Sequence, residues 1–147
     1  MSNTNIFKQC NGAIANLVSQ PVINAALSVA ARVMVSAIFI GAGISKLGAG
    51  YAGTQGYMDS MGVPGAMLPL VIALELGGGI ALLLGFQTRL AAFLLAGFTI
   101  IAGLIFHGGA DQMQQIMLMK NFAMAGGLLA FTLFGAGRLS LDGEARA

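Results

Sequence analysis

Four stretches of the sequence are long, apolar and almost free of charge: about residues 27–47, 69–86, 88–106 and 116–135. A helix needs about 20 mostly apolar residues to cross the hydrocarbon core of a bilayer, and each stretch is close to that length. Only 8% of the 147 residues are charged, against about 25% in soluble domains, and 57% are hydrophobic. So few charges cannot solvate the surface of a soluble protein. The sequence therefore predicts an all-α, polytopic membrane protein, a bundle of four transmembrane helices.

The connections between these stretches differ in length. The link GFQTRL between the second and third stretches is very short and predicts an antiparallel helical hairpin. The link between the first and second, GAGYAGTQGYMDSMGVPGAM, is longer and rich in glycine. We expect a short helix there, resting on the membrane surface, with Thr54 as its cap and its end signalled by Gly62 and Pro64.

On this basis the chain divides into three parts: an N-terminal cytoplasmic or interfacial segment (1–26), a four-helix membrane domain (27–142) and a C-terminal tail (143–147). The stretch QPVINAALSVA either extends the first transmembrane helix or lies in the interface. The N-terminal residues are polar and lack a continuous apolar region with a cleavage site, so we expect no signal peptide.

Basic residues near the ends of the apolar stretches predict the orientation of the chain in the membrane. An even number of spans places both termini on one side, and that side carries five of them: Lys8, Arg32, Arg89, Arg138 and Arg146. The opposite side carries Lys46 and Lys120. Because basic residues accumulate on the cytoplasmic side, we expect both termini to be cytoplasmic. We also expect Arg32, Arg89 and Arg138 to be interface anchors that extend to the inner headgroups.

Small residues four positions apart predict the surfaces through which the helices pack, since helices in lipid associate by close approach of their backbones. These positions are Ala37, Gly41 and Ser45 in the first span, Ala73, Gly77, Ala81 and Gly85 in the second, and Ala123 and Gly127 in the fourth. Close packing explains the glycines better than a phosphate-binding loop does, because no G-x-x-x-x-G-K-[ST] motif occurs.

Five polar residues are predicted to lie at a common depth near the outer side of the membrane: Lys46, Glu75, His107, Lys120 and Asn121. With a rise of about 1.5 Å per residue, Glu75 lies on the order of 10 Å inside the outer end of its span. Lys46 ends the first span on that side, His107 ends the third, and Lys120 with Asn121 opens the fourth. These positions predict a polar pocket to which all four helices contribute.

Each of these residues also has a purely structural explanation. Lys46 and Lys120 can extend to the interface as anchors, His107 can be an ordinary interfacial residue, and Asn121 can bond a neighbouring helix. Glu75 has a short side chain, so at that depth it needs a cation nearby or a proton. Pairing Glu75 with Lys46 or Lys120 would satisfy the carboxylate without any further role.

Other kinds of site find little support in the sequence. The basic residues do not form the cluster that nucleic-acid binding would need. Cys10 is the single cysteine, which excludes an internal disulfide, and we predict no metal site because no ligand pair has a suitable helical spacing. Asp111 follows His107 by four residues and could orient its imidazole, although the flexible HGGAD turn is a weak basis for such a pair.

The ordered segments RVMVSAIFIGAGISKL, YMDSMGVPG, LELGGGIALLLGFQTRLAA, KNFAMAGGLLAF and GAGRLSLD resemble the DoxX-like membrane proteins. The resemblance covers about residues 32–142 and implies a small four-helix protein of the bacterial inner membrane. The family is named after a membrane subunit of a quinone-reducing thiosulfate oxidoreductase, and some relatives are associated with membrane redox complexes and oxidative-stress protection. The five polar residues fall in recurrent family motifs by position, but the resemblance transfers no catalytic role onto them.

The polar residues at a common depth, together with what the family resemblance implies, lead us to expect an accessory, quinone- or lipid-facing component of a membrane redox or oxidative-stress system. In this hypothesis Glu75 and His107 hydrogen-bond a quinone headgroup or relay its protons, Lys46 and Lys120 stabilise negative charge, and apolar helix faces hold the isoprenoid tail. The chain has no electron carrier of its own, so redox chemistry needs quinone and a partner subunit. We expect it not to be an enzyme by itself; a subunit of a quinone-linked oxidoreductase is the enzymatic alternative.

Two hypotheses of other classes stay open. The first is a small proton-coupled transporter that works as a homo-oligomer with Glu75 as the coupling carboxylate, although no broken helix or inverted repeat is evident. The second is a purely structural or assembly subunit of the membrane. The expected partners are the lipid bilayer, a redox enzyme and further copies of the chain, and not nucleic acid.

Overall fold

The computed structural model describes residues 3–143, and these residues form helices and short connections. The all-α architecture predicted from the sequence is confirmed. Residues 144–147, which include Arg146 and most of the predicted C-terminal tail, lie outside the described residues. In chain order the helices are α1 (Asn3–Ser19), α2 (Pro21–Ser45), α3 (Gly50–Ser60), α4 (Leu68–Leu84), α5 (Thr88–Phe106) and α6 (Gln112–Phe134), with one turn of 3₁₀ helix (Gly65–Met67) before α4.

Four of these helices have the length and apolar character of membrane spans, as the hydropathy of the sequence predicts. They are Pro21–Ser45, Gly65–Leu84 (α4 with its preceding 3₁₀ turn), Thr88–Phe106 and Gln112–Phe134. The first is longer than predicted, because α2 starts at Pro21 and takes in the stretch that was expected either to extend the span or to lie in the interface. Proline is favoured in the first turn of a helix, where its missing N–H is not needed. The predicted boundary between residues 26 and 27 therefore falls inside α2.

Helix α3 connects the first two spans and folds back onto the start of α4. Met58 of α3 is buried against Leu68 and Ile72 of α4. The predicted end of this helix is confirmed, since α3 stops at Ser60 and Gly62 follows with a φ of 77°. The prediction that Thr54 caps the helix is wrong. Thr54 lies in its second turn, and its hydroxyl donates to the carbonyl of Gly50 at 2.9 Å, as a threonine inside a helix commonly does.

The four spans associate as two closely packed pairs, α2 with α4 and α5 with α6. Glycines allow this approach: a Cβ atom on Gly43 would lie 2.6 Å from Cγ of Leu76, and one on Gly79 would lie 3.0 Å from Ile40. A Cβ atom on Gly103 of α5 would lie 2.9 Å from Nδ2 of Asn121 in α6. The pairs pack on each other through α4 and α5, whereas α2 and α6 hardly touch.

Most of the predicted packing surfaces are not used between the four spans of a single chain, and their contact with another subunit stays a prediction. Most of the predicted positions are exposed in this chain: Ala37, Gly41, Ser45, Ala73, Gly77, Ala123 and Gly127. The reason is that small residues recur four positions apart on more than one face of α2, α4 and α6, so the spacing alone does not select the buried face. Burial of Glu75 and Leu82 on α4 marks the face that the bundle uses.

The two ends of the bundle have distinct compositions. We call the end that carries Lys46, α3 and the α5–α6 turn the Lys46 end. We call the opposite end, with Arg32 and the α4–α5 turn, the Arg32 end. The main apolar core, which includes Phe39, Leu82, Leu95 and Leu128, fills the part of the bundle toward the Arg32 end. At the Lys46 end the four spans enclose a cavity.

Candidate functional site

The cavity at the Lys46 end has a volume of about 640 Å³ and is lined by all four spans and by α3. All five residues predicted to form a polar pocket line it: Lys46 of α2, Glu75 of α4, His107 at the end of α5, and Lys120 and Asn121 of α6. The helical rise was sufficient to place these residues at one depth, and the fold turns them toward one space. Whether they bind a ligand stays a prediction.

Glu75 and Lys46 form an ion pair in the wall of this cavity. The Nζ atom of Lys46 lies 2.8 Å from Oε2 and 2.9 Å from Oε1 of Glu75. Lys46 is the C-cap residue of α2, and its ammonium also donates to the carbonyl of Ala42 at 3.1 Å, one turn earlier in the helix. Glu75 is only 5% exposed. The lysine that ends the first apolar stretch therefore reaches into the bundle instead of outward to the interface.

His107 is held by a residue that the sequence did not single out. It is the C-cap residue of α5, and its Nδ1 lies 2.8 Å from Oε1 of Gln114, in the first turn of α6. The suggestion that Asp111 orients His107 is wrong. Asp111 is instead the N-cap of α6, and its Oδ1 accepts from the backbone N–H of Gln114 at 3.1 Å. An aspartate before a helix is a preferred cap, which is a signal that the sequence contained.

Lys120 and Asn121 contribute to the cavity in different ways. Asn121 is 8% exposed and packs on Gly103, and its side chain makes no hydrogen bond with any residue from 3 to 143. Lys120 is exposed, and its Nζ lies 3.4 Å from the sulfur of Met117, a weak acceptor. The cavity thus has one buried amide without a partner and one ammonium at its periphery.

The rest of the cavity wall is mainly apolar and extends to the outer surface of the helices. On the α4–α5 side it includes Leu70 and Ile101, which are 65% and 58% exposed. On the side where α2 and α6 hardly touch it includes Ile38 and Met124. Because the outer faces of membrane helices meet lipid, the cavity communicates with the apolar part of the bilayer. A molecule with a polar head and an apolar tail matches this distribution.

Tyr57 of α3 is a cavity residue that the sequence did not predict. Its ring centroid lies 5.5 Å from that of Phe106, with the planes inclined by 30°. Both rings line the cavity beside His107. The YMDSMGVPG segment was singled out as a motif, but only the fold shows that α3 turns back over the cavity mouth.

Arg32, at the opposite end, was predicted to reach the headgroups, and the structure shows a different role. The residue is 3% exposed, and its guanidinium donates to the carbonyl of Leu83 at 2.8 Å and to that of Leu139. The first carbonyl is at the C-terminal end of α4, where helical carbonyls lack partners. Arg32 therefore ties α2 to α4 and to the segment after α6, which leaves it no reach to the bilayer surface.

The segment after α6 closes the Arg32 end over the α4–α5 turn. The backbone N–H groups of Leu141 and Asp142 donate to Leu84 and Gly85, and the Asp142 carboxylate accepts from the backbone N–H groups of Gln87 and Thr88 at 2.7 and 2.8 Å. Burial tends to raise the pKa of Asp142, but these hydrogen bonds and the charge of Arg32 outweigh it and hold the pKa below its usual value.

The other two predicted anchors occupy exposed positions at this end. Arg89 donates through Nη1 to the carbonyls of Thr132 and Leu133, at 3.2 and 2.5 Å, and so neutralises the carbonyl end of α6. Arg138 is exposed in the segment after α6. Their contact with headgroups stays a prediction.

The sequence model of the family described as DoxX matches residues 27–108, more than half of the chain. The chain belongs to the DoxX family. The matched residues include most of α2, all of α3, α4 and α5, and His107, whereas the DoxX match ends before α6. The family resemblance inferred from the sequence motifs is thus confirmed. No solved structure matches the chain.

Curated relatives of this DoxX protein cover most of its length. It is 50% identical over 113 residues to "Inner membrane protein YqjF" of Escherichia coli (strain K12), a match that covers 76% of this chain and 86% of the relative. It is 38% identical to "Inner membrane protein YphA" of the same organism, with coverage of 76% and 85%. It is 36% identical to "Putative oxidoreductase CatD" of Bacillus subtilis (strain 168), with coverage of 76% and 81%. Four apolar spans and the names of the first two relatives agree that this is a membrane protein.

Proposed function

We propose that the protein binds a lipid-soluble quinone in the cavity at the Lys46 end, as an accessory component of a membrane redox or oxidative-stress system. The observation that supports this most is the amphipathic cavity itself. Its polar residues come from separate spans, and its apolar wall runs to the lipid-facing surface. The name of the relative CatD, which describes an oxidoreductase, agrees with a redox role.

The two parts of the cavity fit the two parts of such a ligand. A quinone headgroup would lie among Glu75, His107 and Asn121, where carboxylate, imidazole and amide groups can hydrogen-bond its oxygens. The isoprenoid tail would leave between helices, over Leu70 and Ile101 or over Ile38, and continue among lipid chains. Since the hydrophobic effect is small for a tail that moves from lipid to an apolar groove, the headgroup contacts would provide most of the selectivity.

The partners of the protein are part of this proposal. Electrons would reach the quinone from a redox enzyme in the same membrane, and the protein would hold or deliver the quinone for it. Co-purification from membranes solubilised in a mild detergent, followed by mass spectrometry, tests for that enzyme. The expectation of a homo-oligomer likewise stays a prediction, which the mass of the solubilised particle checks.

Titration of decyl-tailed ubiquinone and menaquinone analogues into the protein in lipid nanodiscs tests the proposal directly. We expect saturable binding beyond that of empty nanodiscs. Glu75→Gln and His107→Ala should each weaken it at least about fivefold, the effect of about 1 kcal/mol from a lost hydrogen bond. Arg138→Gln, an exposed change at the other end of the bundle, serves as the matched control. Binding that is no better than to empty nanodiscs would remove the proposal.

We also propose that both termini face the cytoplasm, from the distribution of basic residues. Cys10 offers a direct test because it is exposed in α1 and is the chain's single cysteine. A membrane-impermeant maleimide should leave Cys10 unlabelled in intact spheroplasts and label it in inverted vesicles. A Cys10→Ser, Ala110→Cys variant, with its thiol in the α5–α6 turn, should show the reverse. The opposite pair of results would invert the topology.

A further inference from the structure

The cavity wall contains hydrogen-bond acceptors that have no donor among the described residues. Lys46 is the strongest donor in this wall, and two of the three N–H groups of its ammonium already have acceptors. These acceptors are the carbonyl of Ala42 at 3.1 Å and Oε1 of Glu75 at 2.9 Å. Oε2 of Glu75 lies 2.8 Å from the same Nζ but accepts no hydrogen bond from the described residues, so Lys46 keeps one N–H group.

Glu75 and His107 keep acceptor sites that have no donor among the described residues. A carboxylate offers about four lone-pair positions, and Lys46 is the only described partner of this one. The Oε1 atom of Gln114 faces Nδ1 of His107, and since an amide oxygen only accepts, Nδ1 carries the hydrogen. The other ring nitrogen, Nε2, is then an acceptor, and it makes no hydrogen bond with any residue from 3 to 143.

Asn121 adds an acceptor that lacks a donor. The residue is 8% exposed and its side chain makes no hydrogen bond with residues 3–143, yet its amide atoms are not fully enclosed, so a molecule in the cavity can reach them. Gly103 leaves little freedom to the side chain, because a Cβ atom at that position would lie 2.9 Å from Nδ2 of Asn121. The amide is thus held at the cavity wall, with its oxygen and its NH₂ group both available.

The cavity therefore offers donors on Lys46, Asn121 and the half-exposed Tyr57, and it also offers acceptors on Glu75 and His107 that only a donating ligand can satisfy. Lys120 is a further donor, at the exposed periphery. An oxidised quinone carries carbonyl oxygens, which only accept, whereas a quinol carries two hydroxyl groups that also donate. Resting on the proposed function, we propose that the site is selective for redox state and binds the dihydroxy-aromatic quinol more tightly than the quinone.

Gln114 has a specific part in this selectivity as a positioning residue. By accepting from Nδ1 it keeps the lone pair of His107 on Nε2, which is the tautomer that can accept from a quinol hydroxyl. A side chain that does not accept would release this constraint. The adjacent residue Gln115 is exposed and bonds the carbonyl of Ala110 instead, so it provides a matched control in the same turn of α6.

Three ligands of equal tail length separate the contributions: a decyl-tailed quinone, its quinol and the dimethyl ether of that quinol, which keeps the ring but cannot donate. Their dissociation constants are measured anaerobically in nanodiscs, with empty nanodiscs subtracted. We expect the quinol to bind about tenfold more tightly than the quinone, the effect of one or two additional net hydrogen bonds. The dimethyl ether should bind no better than the quinone.

The variants then test the atoms involved. Gln114→Leu and Asn121→Leu should each bring the ratio of the two dissociation constants closer to one, while Gln114→Glu, which keeps an acceptor beside Nδ1, and Gln115→Leu should preserve it. Thermal unfolding confirms that each variant is folded. Equal affinity for quinone and quinol, or tighter binding of the quinone, would overturn the inference and leave the proposed function intact. Absence of binding by all three ligands would overturn both.

Discussion

The two ends of the bundle use the same kinds of polar residue for different purposes. At the Arg32 end, Arg32 and Asp142 bond backbone groups from distant segments, and the segment after α6 closes the helices. At the Lys46 end, the helices separate around a cavity, and His107 and Asn121 retain groups with no partner among the described residues. The difference agrees with the proposal that one end stabilises the fold and the other binds a ligand.

Removal of the Arg32 guanidinium should produce the largest loss of stability. Arg32→Met leaves the carbonyls of Leu83 and Leu139 without their charged donor, and two such hydrogen bonds correspond to about 3–5 kcal/mol. Unfolding in mixed micelles measures the loss. Arg138→Met, a change of the same type at an exposed position, should have little effect. A similar loss of stability in both variants would contradict the assignment of Arg32 as a buried hydrogen-bond donor that connects distant segments.

Disruption of the Lys46–Glu75 pair should cause the next largest loss of stability. The variants of this pair also distinguish a structural from a functional role of Glu75. Glu75→Gln or Lys46→Met alone leaves one partner buried without its counter-charge, at an expected cost of about 1–3 kcal/mol. The double variant should lose less stability than the sum of the two, because neither charge then remains. Quinone binding should stay weak in it. Recovery of stability together with full binding would show that Glu75 has only a structural role.

Asp142 should contribute less, and its contribution should depend on pH. Asp142→Ala removes two acceptors from the start of α5, an expected loss of about 1–2 kcal/mol at pH 7. The pKa of Asp142 is lowered in the folded protein. Its contribution is therefore complete above about pH 3.9, the ordinary aspartate value, and disappears as the pH falls through the lower folded value.

Unfolding curves of the wild type and of Asp142→Ala, recorded between pH 7 and pH 2, test this dependence. The stability difference between the two proteins should be constant near neutral pH and should shrink at the acid end. A difference that grew as the pH fell would mean that the folded protein prefers the protonated acid.

Thr54→Val should have the smallest effect, within about 0.5 kcal/mol, because Thr54 lies inside α3 and does not cap it. The two side chains have similar shape, so only the hydroxyl changes. A loss of about 1 kcal/mol, typical of a removed N-cap, would restore the original prediction.

Much of the fold could be predicted from the sequence, because membrane spans depend on local composition. Hydropathy located four helices, and the helical rise placed Glu75 level with Lys46 and His107. What failed were the features that depend on how helices rotate and on which distant segments meet. Leu139, whose carbonyl accepts from Arg32, is 107 residues away and follows the last span. No local sequence pattern could predict this contact.

The same limit explains the finer errors around the site. Gln114 rather than Asp111 contacts His107, because the α5–α6 turn commits Asp111 to capping α6. Small residues four positions apart occur on several faces of α2, α4 and α6. The face that is buried is the one that carries Glu75 and the large apolar residues of the core. The depth of a side chain in the membrane can be predicted by counting residues along its helix. The direction in which it points can be known only from the packing of the helices.

Photoaffinity labelling with an azido-quinone that carries a decyl tail tests the central claim most directly. After irradiation in native membranes, mass spectrometry of the digested protein locates the attached residues. The account predicts labels on cavity residues of the Lys46 end, such as Tyr57, Phe106 and Met124, and their loss when unlabelled quinol competes. Labels spread over the outer faces of the helices, or at the Arg32 end, and insensitive to competitor would contradict it.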